Sequence, residues 1–261
     1  MQIKIYQVDA FTDKVFGGNP AAICPLDEWL PDELLQGIAS ENNLAETAFY
    51  VKSGQRYEIR WFTPAVEVDL CGHATLAAAY VLFHFEGHAG SEINFYSRRS
   101  GNLPVTRNGE LLTLNFPADE FVKIPTPDNA VRYFGKFPLE VLKGKTDYMF
   151  VFESENDILA LQPDISEIKR LEARGVIVTA KGDRADFVSR FFAPQSGISE
   201  DPVTGSAHTT LAPYWAEKLG RNELDAIQLS ARRGFLHCAN LGRRVEISGM
   251  CCAYMTGQII I

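Results

Sequence analysis

The sequence predicts an α+β protein built from two similar lobes. Short segments of β-branched and aromatic residues recur along the chain, few segments have helical periodicity, and a block from the first half reappears in the second. The length of 261 residues suffices for one large domain or two smaller ones. We therefore expect two lobes, each with a sheet and few helices.

The repeated block begins with Arg60–Pro64, Arg-Trp-Phe-Thr-Pro, and returns as Arg190–Pro194, Arg-Phe-Phe-Ala-Pro. Downstream of each copy lies a glycine, followed by a segment containing Thr, Leu and Ala that ends near Tyr80 in the first copy and Tyr214 in the second. Because the second block follows in the same order, the likeness indicates an internal duplication.

The duplication assigns residues 1–116 to a first lobe and residues 117–249 to a second. Three prolines mark Pro117–Asp128 as the natural crossover between the lobes. The C-terminal strand, about residues 250–261, is a candidate to return to the first lobe.

Strands are predicted where short β-branched or aromatic segments are bounded by turn residues. These segments are Ile3–Val8, Thr47–Val51, Tyr57–Phe62, Tyr148–Phe152, Val176–Thr179, Phe187–Phe192 and Val245–Ile247.

Three helices are predicted. The first covers residues 31–42, with a proline and two acidic residues in its first turn, where the helix dipole favours acids. The second begins at Gly72 and is apolar nearly all round, so it should be buried inside its lobe. The third begins near Gly205 and contains Pro213, which removes a backbone donor and should kink or delay the helix.

The composition excludes several classes of function. With 33 acidic and 25 basic residues the net charge is −8, which disfavours nucleic-acid and anionic-membrane partners. The longest apolar stretch, Ala74–Phe83, is too short to span a bilayer, and the N-terminal residues alternate as a strand does rather than forming a signal peptide. The 5 cysteines lack any CxxC spacing, so we expect reduced thiols and a cytoplasmic location.

Gly72 and Gly205 each stand at a predicted helix start, where backbone N–H groups have no partner within the helix. A glycine there lets a ligand approach the backbone closely, and two such starts facing each other would clamp a carboxylate. The alternative is that both glycines only permit tight turns.

Acid and base candidates cluster beside those turns. In the first copy they are Asp69, Cys71 and His73, and in the second Glu200, Asp201 and His208. Glu46 lies elsewhere, between a predicted helix and a strand, flanked by Leu44, Ala48 and Phe49. If Glu46 faces inward it is poorly solvated, which suits a general acid or base, whereas an outward orientation would make it an ordinary surface residue.

The ligand-type side chains lack the spacing of known metal sites. Neither HExxH nor His-x-His occurs, so we expect no metal. GxGxxG and GxxxxGK[ST] are also missing, which argues against dinucleotide and nucleoside triphosphate chemistry.

Four blocks of the sequence resemble the signature of the PhzF-like, or phenazine biosynthesis-like, family. They are Asp9–Thr12 with Phe16–Ala22, then Ala45–Phe49, then Phe62–Pro64 with Glu67–Thr75, and finally Glu200–His208. The resemblance implies a diaminopimelate-epimerase-like fold, in which each lobe is a curved, mostly antiparallel sheet around a central helix. It also implies a homodimer, a site between the lobes and an isomerase that needs no cofactor.

In the phenazine enzyme of this family a glutamate shifts a proton within a dihydro-hydroxyanthranilate ring, and Glu46 matches that glutamate. The resemblance implies further catalytic roles for His73 and Asp201, and substrate-carboxylate binding by Gly72, Gly205 and Ser206. The chain departs from the family at Ala45, where the family often has a serine that could bond to the glutamate.

Two other functions compete with this interpretation. An amino-acid racemase or epimerase of the same fold uses two cysteine thiolates, and Cys71 stands where the first would be, but Ser199–Ala207 contains no second cysteine. A non-catalytic metabolite-binding or interaction protein would keep the carboxylate clamp alone. The combination of Glu46, His73 and Asp201 favours the isomerase.

Overall fold

A computed structural model describes residues 1–261. The chain divides into two compact units: unit 1 is Met1–Asn115 together with Ser248–Ile261, and unit 2 is Phe116–Ile247. Strands dominate both units and helices are few, which confirms the predicted α+β class.

The elements up to residue 117 are β1 (Gln2–Ala10), β2 (Asn19–Leu26), α1 (Asp32–Asn42), β3 (Glu46–Ser53), β4 (Arg56–Phe62), β5 (Glu67–Val68), α2 (Gly72–His84), β6 (Glu92–Ser97), β7 (Gly101–Asn108) and β8 (Leu111–Pro117). The elements that follow are β9 (Val122–Ile124), α3 (Val131–Phe134), β10 (Glu140–Lys143), β11 (Asp147–Val151), α4 (Glu155–Ala160), α5 (Ile165–Ile168), β12 (Gly175–Lys181), β13 (Phe187–Ala193), β14 (Ile198–Asp201), α6 (His208–Leu219), β15 (Glu223–Gln228), β16 (Gly234–Asn240), β17 (Arg244–Gly249) and β18 (Cys251–Ile260). Each predicted strand overlaps an observed one.

The strands of unit 1 are mostly antiparallel. β1 lies between β18 and β2, antiparallel to both. β3 pairs antiparallel with β4, β6 with β7, and β7 with β8. The exceptions are β2 with β3 and β4 with β6, which are parallel. A helix lies between the strands of each parallel pair, because parallel neighbours require a crossover connection.

α1 begins one residue later than predicted, after Pro31, and ends where the sequence predicted. Asn43 follows it with φ 49°, a left-handed conformation that asparagine tolerates and that terminates helices. Leu35 and Ile38 on its inner face join the buried core of unit 1. The apolar face of α1 therefore packs against the core, and Asn43 terminates the helix.

α2 is buried on nearly every face, as its apolar sequence predicted. Residues 73–79 are all buried, and the helix packs against β1, β2, β3 and β18. A helix without a polar face must be surrounded by protein, so the strands of unit 1 lie around it. Neither α2 nor any other helix is long and apolar enough to cross a membrane.

Unit 2 repeats the pairing order of unit 1. β10 pairs antiparallel with β9 and β11, β11 parallel with β12, and β12 antiparallel with β13. β13 pairs parallel with β15, which pairs antiparallel with β16. The helices again lie within the parallel crossovers, α4 and α5 in one and α6 in the other. This strand-by-strand correspondence favours an internal duplication.

The two repeated arginines make the same contact in their own units. Arg60 binds Glu67 through Nε–Oε1 at 2.7 Å and Nη2–Oε2 at 2.9 Å, and Arg190 binds Glu200 through the same atom pairs at 2.8 and 3.0 Å. Each guanidinium also lies over a phenylalanine of its own strand, 5.0 and 5.1 Å from the ring centre. Glu200, an acid/base candidate from the sequence, is thus held in an ion pair.

Pro213 lies inside α6, and the structure accommodates its missing N–H. The carbonyl of Thr209, which a residue at 213 would otherwise bond, accepts instead from the backbone N–H of Asp119 at 3.1 Å. Thr210 Oγ1 donates to the Asp119 carboxylate at 2.8 Å. The helix predicted to begin near Gly205 begins at His208 instead, because residues Gly205–Ala207 form a 3-10 turn that precedes α6.

The predicted crossover Pro117–Asp128 contains a strand that sequence reasoning missed. β9 occupies its middle and pairs antiparallel with β10. The sequence did not predict β9 because the strand is only three residues long and prolines lie on both sides of it.

We expect Arg190→Lys to lower the free energy of unfolding by about 1 to 2 kcal/mol, because lysine keeps the charge but cannot make the two-point contact with Glu200. Urea denaturation measures the change. Arg184→Lys, at an exposed arginine of the same unit, is the matched control and should shift stability by less than about 0.5 kcal/mol. Equal stability of the two variants would contradict this account.

Candidate active site

Four polar residues of unit 1 form a buried cluster: Asn19, Glu46, Cys71 and His73. Asn19 and Glu46 are the first residues of the parallel strands β2 and β3, so they lie at the same end of the sheet. Cys71 immediately precedes α2, and His73 is the second residue of that helix. α2 packs against both β2 and β3. The N-terminal end of α2 therefore meets the starts of β2 and β3.

The His73 ring lies at the centre of this cluster. Its Nε2 is 3.3 Å from Glu46 Oε2. Its Nδ1 is 3.2 Å from Asn19 Nδ2 and 3.5 Å from Cys71 Sγ. The imidazole thus has the carboxylate at one nitrogen and the amide and thiol at the other.

Burial keeps His73 neutral. The ring is 5% exposed, and desolvation lowers its pKa from 6.5 to about 3. With the Asn19 amide nitrogen facing it, Nδ1 is the acceptor, so the single ring proton sits on Nε2. His73 therefore presents an N–H to Glu46 rather than a positive charge.

Glu46 faces inward, with 9% of its surface exposed. Leu44 and Phe49, which flank it in sequence, belong to the apolar core of unit 1 or pack against it. Phe49 points to the opposite face of β3, because successive strand residues alternate between faces. The buried carboxylate lies beside the His73 ring, an environment that suits a general acid or base.

Gly72 opens α2, as predicted. Cys71, the residue before it, provides no side-chain cap, and the first turn contains no acidic residue. The positive end of a thirteen-residue helix is therefore not neutralised by its own side chains. Such an end favours binding of an anion.

Glu46, Cys71 and His73 offer ligand atoms within 4.8 Å of one another, the residue types that bind transition metals. The ring orientation opposes a shared ion, because Nδ1 faces the thiol whereas Nε2 faces the carboxylate. The two short approaches therefore use different ring nitrogens, whereas a histidine binds a metal ion through one of them. This division favours polar contacts among the side chains over a shared ion.

Asp201, Gly205 and Ser206 lie in unit 2 and close together in the chain. Asp201 ends β14, is 8% exposed and accepts a hydrogen bond at Oδ2 from Thr204 Oγ1 at 2.5 Å. Gln228 Nε2 donates to the Asp201 carbonyl at 2.8 Å. These contacts fix the carboxylate of Asp201 against the loop that leads to Gly205.

His208, another candidate from the sequence, is a core residue of unit 2. It is fully buried, which lowers its pKa to about 4, and its Nδ1 donates to the Thr204 carbonyl at 2.9 Å. Phe187 lies beside the ring, 5.9 Å between centroids. The neutral imidazole therefore fastens the loop of residues 204–208 to the core.

Two residues near the candidate site were missed by sequence reasoning. Asn19 lies in the Gly-Gly-Asn-Pro segment quoted for the family resemblance, and that segment was the available signal. Arg174 donates from Nη1 to Ser206 Oγ at 2.9 Å, and nothing in its local sequence indicated this contact. The structure brings Glu46 and His73 together beside Gly72 in unit 1, and Asp201, Gly205 and Ser206 lie on one loop of unit 2.

Comparisons with known proteins agree on a single family. The family profile described as "Phenazine biosynthesis-like protein" matches residues 8–257. An uncharacterized isomerase of Pseudomonas aeruginosa is 54% identical over 259 residues, covering 99% of both chains. The crystal structure of a PhzF-family phenazine biosynthesis protein from Enterococcus faecalis superposes with a TM-score of 0.97 at 46% identity, covering 100% of both chains.

A more distant structure shows the same fold. A predicted epimerase from Pseudomonas aeruginosa gives a TM-score of 0.77 at 20% identity, over 99% of each chain. The isomerase relatives and the shared fold thus define an isomerase of the epimerase-like fold class. The chain belongs to the phenazine biosynthesis-like, or PhzF-like, family.

The two buried histidines should make the protein acid-sensitive. Their pKa values lie at about 3 for His73 and about 4 for His208, below the ordinary 6.5. Below about pH 6.5 the unfolded chain takes up protons that the folded protein excludes, so stability falls with falling pH, by about 1.4 kcal/mol per pH unit for each ring.

His208→Gln should therefore reduce the pH dependence of the free energy of unfolding between about pH 6 and 5 by the contribution of one histidine, as measured by urea denaturation. His237→Gln is the control, because hydrogen bonding to Asp225 raises the pKa of His237 and gives the opposite sign. A His208 variant with the full wild-type slope would contradict the assignment.

Proposed function

We propose that this protein is a cofactor-independent isomerase that moves a proton between two carbons of a small, carboxylate-bearing substrate. Glu46 is the proton carrier, and His73 and Asp201 are its catalytic partners. The observation that carries the proposal is the buried approach of the neutral His73 Nε2 to Glu46 Oε2 at 3.3 Å.

The chemistry needs one acid/base group used twice. The Glu46 carboxylate takes a proton from one carbon and becomes a carboxylic acid, and the electron pair left behind shifts through the unsaturated substrate. The acid then returns the proton to a second carbon. Atoms and electrons balance within the substrate, so the step requires neither an oxidant nor a metal.

His73 contributes a neutral N–H group close to the carboxylate. Its Nε2–H lies on the side of Glu46, with Nε2 3.3 Å from Oε2 although the pair is not aligned as a hydrogen bond. The low pKa of His73 keeps the ring from trapping the proton that Glu46 must carry. A protonated imidazole in this place would stabilise the carboxylate charge and weaken it as a base. Neutrality of His73 is thus part of the proposed mechanism.

The substrate carboxylate is assigned to backbone amides at Gly72 and Gly205 and to the Ser206 hydroxyl. The uncapped start of α2 supports the first of these, because amide-to-anion hydrogen bonds are charge-assisted. The family resemblance also supports a homodimer. The reduced cysteines support a cytoplasmic location, and the net charge of −8 argues against nucleic-acid and membrane partners.

The two-thiol racemase is the second candidate, because Cys71 Sγ lies beside the cluster, 3.5 Å from His73 Nδ1. A partner thiol from unit 2 could come only from Cys238, which is fully buried on β16. The four other cysteines belong to unit 1. This placement favours a carboxylate carrier over a thiol pair.

A non-catalytic binding protein would need the anion site at α2 without an acid/base group. It would not require a carboxylate and a neutral histidine buried side by side, since burying ionisable groups costs free energy. Proton exchange in D₂O separates the enzyme from the binder.

Glu46→Gln should keep the side-chain shape and lose the transferable proton. We expect ligand binding to remain and proton exchange to fall by about 10² to 10⁴. The assay is deuterium uptake from D₂O, followed by NMR, in a set of small cyclic and unsaturated carboxylic acids that begins with dihydro-hydroxyanthranilate. Exchange at the wild-type rate by the Gln variant would remove Glu46 from the carrier role.

Cys71→Ser distinguishes the isomerase from the racemase. Serine keeps a small polar group beside His73 Nδ1, so exchange should stay within about tenfold of wild type if Glu46 carries the proton. A loss as large as that of Glu46→Gln would instead indicate thiol chemistry at Cys71.

Chelators should leave turnover unchanged. We expect dialysis against EDTA to preserve the exchange rate, with metal content followed by mass spectrometry. Stoichiometric bound zinc together with chelator-sensitive exchange would overturn the metal-free mechanism.

A further inference from the structure

Arg174 immediately precedes β12 and is held in a defined orientation. Its Nε donates to Asp147 Oδ1 at 3.0 Å, and its Nη2 forms a second bond to Asp147 Oδ2. Asp147 is only 3% exposed, and the guanidinium lies over the Phe191 ring at 5.4 Å. A two-point contact and a stacked ring leave the planar guanidinium little freedom.

The third guanidinium nitrogen of Arg174, Nη1, contacts Ser206. Arg174 Nη1 lies 2.9 Å from Ser206 Oγ. Arginine has donors and no acceptor, so the serine oxygen must be the acceptor in this bond. The hydroxyl hydrogen of Ser206 therefore points away from Arg174.

Nothing within the protein takes that hydrogen. Ser206 Oγ makes one hydrogen bond, the one from Arg174, and the nearby Thr209 hydroxyl donates to the Ser206 carbonyl at 2.7 Å instead. The side chain is half-buried, so its hydrogen remains available to a ligand.

We infer that Arg174 is a positioning residue that fixes the Ser206 hydroxyl as a hydrogen-bond donor, so that the site selects a carboxylate over a neutral group at this point. The inference rests on the proposed function, which assigns Ser206 to the substrate carboxylate. Asp147 neutralises the charge of Arg174, so the main effect of Arg174 is to orient the Ser206 hydroxyl rather than to attract an anion by its charge. Every group of a carboxylate is an acceptor, which matches a site with only donors.

Binding of anthranilate, a fluorescent ring carboxylate, tests the inference against anthranilamide, its neutral counterpart. We expect Ser206→Ala to weaken anthranilate binding by about five- to tenfold and to reduce the preference over anthranilamide. Arg174→Lys keeps the positive charge beside Asp147 but loses the hydrogen bond to Ser206 Oγ. It should weaken anthranilate binding about as much as Ser206→Ala does. Arg170→Lys, at an exposed arginine of unit 2, is the matched control and should bind as wild type does.

A double-mutant cycle separates positioning from a general structural effect. If Arg174 acts through Ser206, Arg174→Lys should add less than about twofold to the loss already caused by Ser206→Ala. Arg174→Met extends the series, with thermal unfolding measured in parallel because that variant leaves the buried Asp147 carboxylate unpaired. Additive losses in the cycle, or wild-type binding by Arg174→Lys, would overturn the inference.

Neutron diffraction from deuterium-exchanged crystals gives a test that needs no ligand. The Ser206 deuterium should be directed away from Arg174 and toward solvent, and a deuterium donated to a protein acceptor would overturn the inference. Failure of the wild type to bind anthranilate, with the deuterium placed as expected, would instead count against the carboxylate assignment in the proposed function. The two failures are thus distinguishable.

Discussion

The buried contact between His73 and Glu46 is the constraint on which the candidate site depends. A carboxylate withdrawn from water needs a donor, and a histidine withdrawn from water loses its charge. Asn19 sets the tautomer of the ring, because its amide bonds to Nδ1 and leaves the ring proton on Nε2, 3.3 Å from Glu46 Oε2. The three side chains thus define one protonation state.

The fold brings these groups together by placing the starts of two parallel strands beside the start of an apolar helix. α2 must be buried because it has no polar face, and burying it also buries His73 on its first turn. Unit 2 uses the same strand order and the same Arg–Glu contact, yet the turn before α6 carries Ser206 in contact with Arg174, and the buried carboxylate there is Asp201 at the end of β14. One framework therefore supports two different polar clusters.

Much of this arrangement could be predicted from local sequence. Periodicity and turn residues predicted α1, α2 and the major strands, and the repeat around Arg60 and Arg190 was visible directly. The apolar neighbours of Glu46 left both an inward and an outward orientation open, and the structure places the side chain inward. Three contacts could not be predicted, because each joins residues distant in sequence that only tertiary packing brings together. They are His73 with Asn19, Arg174 with Ser206, and Asp119 with the Thr209 carbonyl of α6. β9 was missed because it is too short to show a pattern of its own.

Nitrogen NMR of protein labelled with ¹⁵N at histidine tests the central claim most directly, with His73→Gln assigning the resonances. Our account predicts that His73 stays neutral from about pH 8 down to about pH 5, with a protonated Nε2 and a bare Nδ1. A ring that takes up a second proton within this range, or that carries its single proton on Nδ1, would contradict the account, because Glu46 would then face either a cation or a bare nitrogen.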